Sequence, residues 1–345
     1  MREGLAAACT WVERNERALP GFVGAYVGGS LAALGDDALI PPGSDMDVFV
    51  ALEGPPPDKR GKFLYGGLLM EISYLDFGAM APADKALDDY HLAPSLRWQR
   101  TLCDPSGRLG ALQEQVARAF FEPVHLRARR NHALGRVRTG LSGLDASDLP
   151  EDLALASLFS TGIMAHAVLS AAGENPTVRL RYQRAGEVLI KAGRADAHER
   201  LMQLAGFGSI TRDQAQHALA LMVPAYDAAS GMPSDYFFAS DVSAVSRATA
   251  VDTAQDWINR GCPRETMFWT LSSHARAVKI IRASAPGQLE NYLPGFCQAL
   301  ALIGRERPAQ VLAAARRSLD SLPWLTELTD ELMAGCSSAA DRPTP

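Results

Sequence analysis

The first 125 residues contain short segments typical of strands, either continuously apolar, as at 22–27, or alternating between apolar and polar, as at 45–52. Short helical patterns separate these segments. The strand patterns cover 22–27, 45–52, 68–77 and 98–103. The helical patterns cover 5–18, 30–35, 83–92 and 110–121, and a turn rich in proline and charge covers 53–62. This order of elements predicts an N-terminal α/β module with a short mixed sheet.

Beyond residue 125 the strand period is lost, and the pattern becomes that of successive helices. Helices are predicted at 127–138, 151–172, 177–192, 211–229, 241–260, 264–284, 288–303, 308–320 and 323–334. We therefore predict an α+β protein whose second domain is all-helical. The expected domains are 1–125 and 126–335, followed by a disordered tail at 336–345.

The strand predicted over 45–52 carries apolar side chains on one face and two carboxylates on the other. Asp45 and Asp47 are two residues apart, so their side chains project from the same face. Carboxylate oxygens suit hard divalent cations, and such a cation offsets the repulsion between neighbouring acids. The alternatives are an exposed strand face, or a loop, that contains two acids.

A third carboxylate, Glu71, interrupts the apolar strand predicted over 68–77. If this strand lies beside the one with Asp45 and Asp47, Glu71 completes a three-carboxylate cluster. Such a cluster can hold two Mg²⁺ ions about 3.5–4 Å apart, one for an attacking hydroxyl and one for a triphosphate. Glu71 is then a metal ligand or the base that takes the hydroxyl proton. The alternatives are a solvent-facing Glu71, or Asp76 as the third acid.

The run Gly28-Gly29-Ser30 follows the first predicted strand. Glycine permits positive φ and a close approach of the backbone to a ligand, and backbone N–H groups at a helix start attract anions. We expect this turn to hold phosphates, with the Ser30 hydroxyl as a further donor. A plain turn is the alternative.

These features resemble the nucleotidyltransferase superfamily of the polymerase-β type. The resemblance rests on Gly28-Gly29-Ser30, Ser44-Asp45-Met46-Asp47-Val48 and Met70-Glu71-Ile72, and it covers about residues 1–125. A module of this kind followed by a helical domain is most similar in layout to bacterial aminoglycoside nucleotidyltransferases. In that branch the substrate lies between the two domains.

The resemblance implies an enzyme that moves a nucleoside monophosphate from an NTP, with ATP expected, to a hydroxyl of a small acceptor and releases pyrophosphate. It implies catalytic and metal-binding roles, with two Mg²⁺ ions, for Asp45, Asp47 and Glu71. It implies nucleotide-binding roles for Gly28, Gly29, Ser30, Ser44, Arg181 and Arg184. An aminoglycoside-like acceptor would connect the protein with antibiotic resistance.

Composition narrows the expected partners. A net charge of −5 argues against binding to long nucleic acid and favours a small or cationic acceptor. The five cysteines show no CxxC spacing, so we expect reduced thiols in the cytoplasm. We expect no membrane span, because no apolar run approaches about 20 residues. We expect no signal peptide, because Arg2 and Glu3 lead into a helix-like segment with several charged residues. A homodimer is left open.

Two other functions are left open by the sequence. The same chemistry can act on a protein side chain or an RNA end, as in regulatory or toxin–antitoxin nucleotidyltransferases. A protein that binds nucleotides without catalysis is the other alternative, although three intact acids count against it.

Overall fold

The computed structural model describes residues 1–336, and the predicted disordered tail from residue 337 lies outside the described residues. The described chain forms two compact units. The first contains Met1–His132, Ser170–Thr177 and the last described residues from Met333, and the second contains Ala133–Leu169 and Val178–Leu332. The predicted division into domains at residue 125 stays a prediction.

A five-stranded mixed sheet lies at the centre of the first unit, with the strand order β3-β4-β2-β1-β5. Its strands are β1 (Phe22–Val27), β2 (Met46–Leu52), β3 (Arg60–Tyr65), β4 (Leu68–Asp76) and β5 (Thr101–Cys103). β2 and β4 run parallel, and the other neighbouring pairs are antiparallel. The prediction of an α+β protein with a small mixed sheet in its N-terminal part is confirmed.

Helices cover both faces of the sheet. Helix α1 (Arg2–Asn15) packs Trp11 and Val12 against one face, which presents the predicted apolar side of β2. The other face packs against α2 (Phe77–Met80), α3 (Ala83–Asp88), α4 (Leu92–Leu96) and α5 (Arg108–Ala119). Because side chains alternate along β2, Asp47 projects to the same face as Phe49, which packs in this second core.

The rest of the described chain is mostly helical, as predicted, with no strand between Cys103 and residue 336. Its α-helices are α6 (Pro123–Ser142), α7 (Pro150–Ala171), α8 (Arg181–Lys191), α9 (Ala195–Ala205), α10 (Arg212–Ala229), α11 (Thr253–Asn259), α12 (Pro263–Ser284), α13 (Leu293–Ala301), α14 (Pro308–Asp320) and α15 (Leu322–Cys336). Short 3₁₀ turns lie at Ala239–Asp241, Ala244–Ser246 and Pro286–Asn291, and a π-helical turn lies at Ala248–Asp252.

Helix α7 corrects the expectation that no segment is long and apolar enough to cross a membrane. Its 22 residues include a window with a mean hydropathy of 1.6, and 78% of that window is buried inside the protein. Glu151 and Asp152 in its first turn pair with Arg282 and Lys279 of α12. Burial and ion pairing of this kind are those of a core helix.

Several predicted elements differ from the observed ones. The segment predicted as a helix at 30–35 is a series of turns, and the side chain of Arg100 donates hydrogen bonds to the carbonyls of Ala32 and Leu34 in these turns. Strand β3 was not predicted, and its first three residues were assigned to the turn at 53–62. Helix α8 begins at Arg181 rather than at residue 177, and the predicted strand 98–103 is paired only over Thr101–Cys103.

Further differences concern helices. The helix predicted at 83–92 is divided between α3 and α4, and the one predicted at 241–260 is broken into 3₁₀, π and α segments. Helix α9 was not predicted, and α15 continues to Cys336, one residue into the predicted tail.

The core between β2, β4 and α1 generates a stability prediction. Ile72 is fully buried, whereas Leu64 on the edge strand β3 is 59% exposed. Because Ile72→Ala leaves a cavity in a packed core, we expect it to lower the free energy of unfolding by about 2–5 kcal/mol. The matched Leu64→Ala variant should change it by less than about 1 kcal/mol. Urea unfolding of both variants measures the difference, and equal effects would contradict the packing described here.

Candidate functional site

The parallel pairing of β2 with β4 brings the three predicted acids together. In the register of this pair, Asp47 lies directly opposite Glu71, and Met46 lies opposite Met70. Asp45 directly precedes β2 and projects from the same face as Asp47. The predicted cluster required the strand of Glu71 to lie beside the strand of Asp45 and Asp47, and the two strands are neighbours in the structure.

The carboxylates of Asp45, Asp47 and Glu71 are close enough to share one cation. One oxygen from each lies within 4.8 Å of the other two, and all three residues are partly buried. The donor set consists of carboxylate oxygens, which fit Mg²⁺, Mn²⁺ or Ca²⁺ better than a soft metal. The chemistry and spacing of these residues therefore fit a divalent cation, without selecting one or showing that a nucleotide binds.

The turn after β1 lies against the same acids. The amide of Gly28 donates to the carbonyl of Asp47 at 2.9 Å, which continues the pairing of β1 with β2 into the turn. Gly29 has a φ of +64°, and a Cβ built on it would lie 1.8 Å from Oδ2 of Asp47. Only glycine fits this position, because it tolerates the left-handed conformation and leaves room for the carboxylate.

A segment distant in sequence supports this turn. The side-chain amide of Asn175 donates to the carbonyl of Gly29 at 2.9 Å, across a sequence separation of 146 residues. Two residues earlier, the carbonyl of Gly173 accepts from the buried guanidinium of Arg97 at 3.0 Å. Both ends of each bond belong to the first unit. The chain thus returns to the first unit after α7, where Asn175 supports the glycine turn through a hydrogen bond.

Two lysines neutralise part of the acidic cluster. Nζ of Lys62 lies 3.1 Å from Oδ2 of Asp45 and 3.7 Å from Oε2 of Glu71. Nζ of Lys59 lies 2.6 Å from Oε1 of Glu71. The Lys62 side chain is only 7% exposed, so this ion pair is shielded from solvent.

The surroundings of Asp47 in the cluster change its pKa. Burial is the main cause that raises the pKa of Asp47 well above its ordinary value, and the neighbouring charges of Asp45 and Glu71 raise it further. Lys62 and Lys59 act in the opposite direction. A cation bound at these acids would favour the ionised carboxylate of Asp47.

The other predicted nucleotide-binding residues are placed less uniformly. Ser30 is exposed at the end of the glycine turn, and Ser44 is half-buried immediately before Asp45. Arg181 and Arg184 lie in the second unit.

The two arginines differ in their surroundings. Arg181 is 1% exposed, and its guanidinium lies 3.9 Å from the ring centroid of Phe268. Arg184 pairs with Glu187 at 2.8 Å on an exposed helix face. Burial in the helical core does not favour the predicted contact of Arg181 with phosphate.

Lys59, Lys62 and Asn175 were not predicted as residues of the site. A signal for the lysines was present, because Gly66-Gly67 between the apolar runs Phe63-Leu64-Tyr65 and Leu68-Leu69 is typical of a hairpin turn. That turn would have predicted β3 and placed Lys62 on a strand next to β4. Asn175 has no comparable local signal, since its partner is distant in sequence.

No protein-family model, curated protein or solved structure matches the chain. The interpretation of the site therefore rests on its own residues and geometry.

The close contact between Gly29 and Asp47 generates a prediction. We expect Gly29→Ala to lower the free energy of unfolding by about 2 kcal/mol or more, because it combines left-handed strain with displacement of the Asp47 carboxylate. Gly66→Ala is the matched control, since Gly66 has a φ of +58° and no atom within 4 Å of an added Cβ. It should cost about 1 kcal/mol of strain alone. Urea unfolding measures both, and equal losses would show that the carboxylate contact is unimportant.

The raised pKa of Asp47 generates a second prediction, for protein without divalent cations. Below the ordinary aspartate pKa of about 3.9 the side chain is protonated in both folded and unfolded states. As the pH rises, the unfolded state loses this proton first, so the contribution of Asp47 to stability falls until the pH passes its folded pKa. We therefore expect Asp47→Asn to gain stability relative to the original protein as the pH rises above about 4.

Urea unfolding across a pH series measures this trend, with Asp37→Asn as the control because the Asp37 side chain is 89% exposed. A stability difference for Asp47→Asn that does not change with pH would contradict the prediction.

Proposed function

We propose that the protein is a divalent-cation-dependent nucleotidyltransferase that moves a nucleoside monophosphate from an NTP to a hydroxyl of a small acceptor. The observation that carries the proposal is the convergence of Asp45, Asp47 and Glu71 beside the Gly28-Gly29 turn. A glycine turn suits the phosphates of a nucleotide, and a carboxylate cluster suits the cation that accompanies them. The resemblance of the same segments to polymerase-β-type nucleotidyltransferases supports this interpretation.

In the proposed reaction, the acceptor hydroxyl oxygen forms a bond to the α-phosphorus, and the bond from that phosphorus to the bridging oxygen of pyrophosphate breaks. Asp45 and Asp47 would hold the cation, and Glu71 would take the hydroxyl proton. When bound, the cation would neutralise the triphosphate and the charge on the departing pyrophosphate. Asn175 would orient the glycine turn through its bond to the carbonyl of Gly29.

ATP is the proposed donor, and an aminoglycoside-like polyhydroxylated cation is the proposed acceptor. The net charge of −5 supports a cationic acceptor by long-range attraction. We also propose that the protein acts in the cytoplasm and does not bind a membrane.

A second candidate function is nucleotide binding without turnover. The pairing of Lys59 and Lys62 with Glu71 and Asp45 favours it, because the ammonium groups already balance two of the three carboxylate charges. A sensor of this kind would bind an NTP and release no pyrophosphate.

The enzyme proposal predicts pyrophosphate release that depends on Asp47. The purified protein is incubated with Mg²⁺ and each NTP, against a panel of aminoglycosides and small-molecule lysate fractions. We expect acceptor-dependent release, and we expect Asp47→Asn to reduce it by about 10²-fold or more, because the variant loses a charge at the reacting centre. Asp37→Asn, a substitution at an exposed position, should retain it.

The outcomes separate the two candidates. NTP binding with Mg²⁺ but no release with any acceptor would favour the sensor, whereas the absence of both binding and release would contradict a nucleotide site. Label transferred from NTP to a protein or RNA would favour the same chemistry on a macromolecule.

A further inference from the structure

The strongest unused feature of the site is the position of Lys62. Its ammonium lies between the carboxylates of Asp45 and Glu71, at 3.1 Å and 3.7 Å. With 7% of its side chain exposed, Lys62 is shielded from solvent where it contacts the acids. Lys62 therefore places a positive charge of the protein itself between two carboxylates.

The fold directs Lys62 to this position. Strand β3 pairs antiparallel with β4, with Phe63 opposite Met70. Phe63 packs against Trp11 on the α1 face of the sheet, with ring centroids 5.2 Å apart. The pairing of β3 with β4 is irregular between Arg60 and Phe63, and Lys62 lies within this irregularity. From there its ammonium contacts Asp45 and Glu71.

Moving Lys62 away from the acids would be unfavourable. An ammonium with so little exposure would lose a charge-assisted contact and gain little hydration in return. Removing one partner of a shielded ion pair is usually strongly destabilising, because the other charge is left without compensation. The side chain is therefore a fixed part of the site and not a loosely held surface lysine.

The charges of the cluster are already largely balanced. Three carboxylates carry three negative charges, and the ammonium groups of Lys59 and Lys62 return two of them. Sites that hold two divalent cations use their carboxylates to offset four positive charges together with the phosphates. Here the two lysines leave the cluster with a net charge of about −1, which is less than two divalent cations require. Asp45 and Glu71 are both in contact with Lys62.

We infer that Lys62 takes the place of one of the two cations expected for such a site, so that the protein binds a single divalent cation. Asp47, which lies against Gly29, and Asp45 are the residues that would hold this cation. Lys62 is then a positioning residue that fixes Glu71 and Asp45 and supplies positive charge beside them. This inference rests on the proposed function and replaces the two ions expected from the sequence.

The experiment counts bound Mn²⁺ per chain, from the electron paramagnetic resonance signal of free Mn²⁺, in the presence of the α,β-methylene analogue of ATP. Ions that belong to the site are those lost in Asp47→Asn. We expect about one such ion in the original protein and about two in Lys62→Met, in which the acids regain the charge for a second ion. Lys62→Arg, which keeps the charge, should remain at about one.

Lys85→Met is the matched control. It also removes a lysine charge, but Lys85 is exposed and bonded to the carbonyl of Gly78, away from the acids. Its Mn²⁺ count should equal that of the original protein. Melting curves establish that each variant is folded, and if Lys62→Met does not fold, the count in the original protein decides alone.

Two Asp47-dependent ions in the original protein would overturn the inference and leave the proposed function intact. A count that stays at one in folded Lys62→Met would also overturn it. Absence of any Asp47-dependent Mn²⁺ would overturn both the inference and the proposed function.

Discussion

The candidate site depends on one interaction, the parallel pairing of β2 with β4. This pairing sets Asp47 opposite Glu71, and it is the only parallel pair in the described sheet. A shift of one residue would send Glu71 to the α1 face, into a core of apolar side chains. The apolar side of both strands, with Met46, Met70 and Ile72 fully buried, therefore fixes the register that assembles the acids.

The same arrangement places like charges close together, and the surrounding structure offsets this repulsion. Lys59 and Lys62 of the β3 region pair with two of the acids, and the absence of a side chain at Gly29 leaves space for the third. The lysines therefore supply opposite charge to acids that are partly buried. A cation bound at these acids would therefore change the stability of the protein as well as the charge of the site.

The sequence allowed the fold class and the acidic cluster to be predicted, because both follow from local periodicity. Alternation in β2 and an acid within the apolar strand β4 identified Asp45, Asp47 and Glu71 as candidates, and the pairing of the two strands brings them together. The turns after Ser30 depend on Arg100, which reaches them from 64 to 68 residues away. Asn175 likewise acts on Gly29 from a distant position. Pairing between distant residues leaves no period in the sequence, so it was not predictable from one chain.

The return of Ser170–Thr177 to the first unit has a consequence for how this protein can be divided. A fragment ending at His132 would contain every strand and all three acids, yet it would lack the partners of the Gly29 carbonyl and of Arg97. The sheet unit is therefore not a module that can be excised or exchanged as one continuous stretch. During synthesis, the turn beside the acids can gain its bond to Asn175 only after α7 has been made, about halfway along the 345-residue chain.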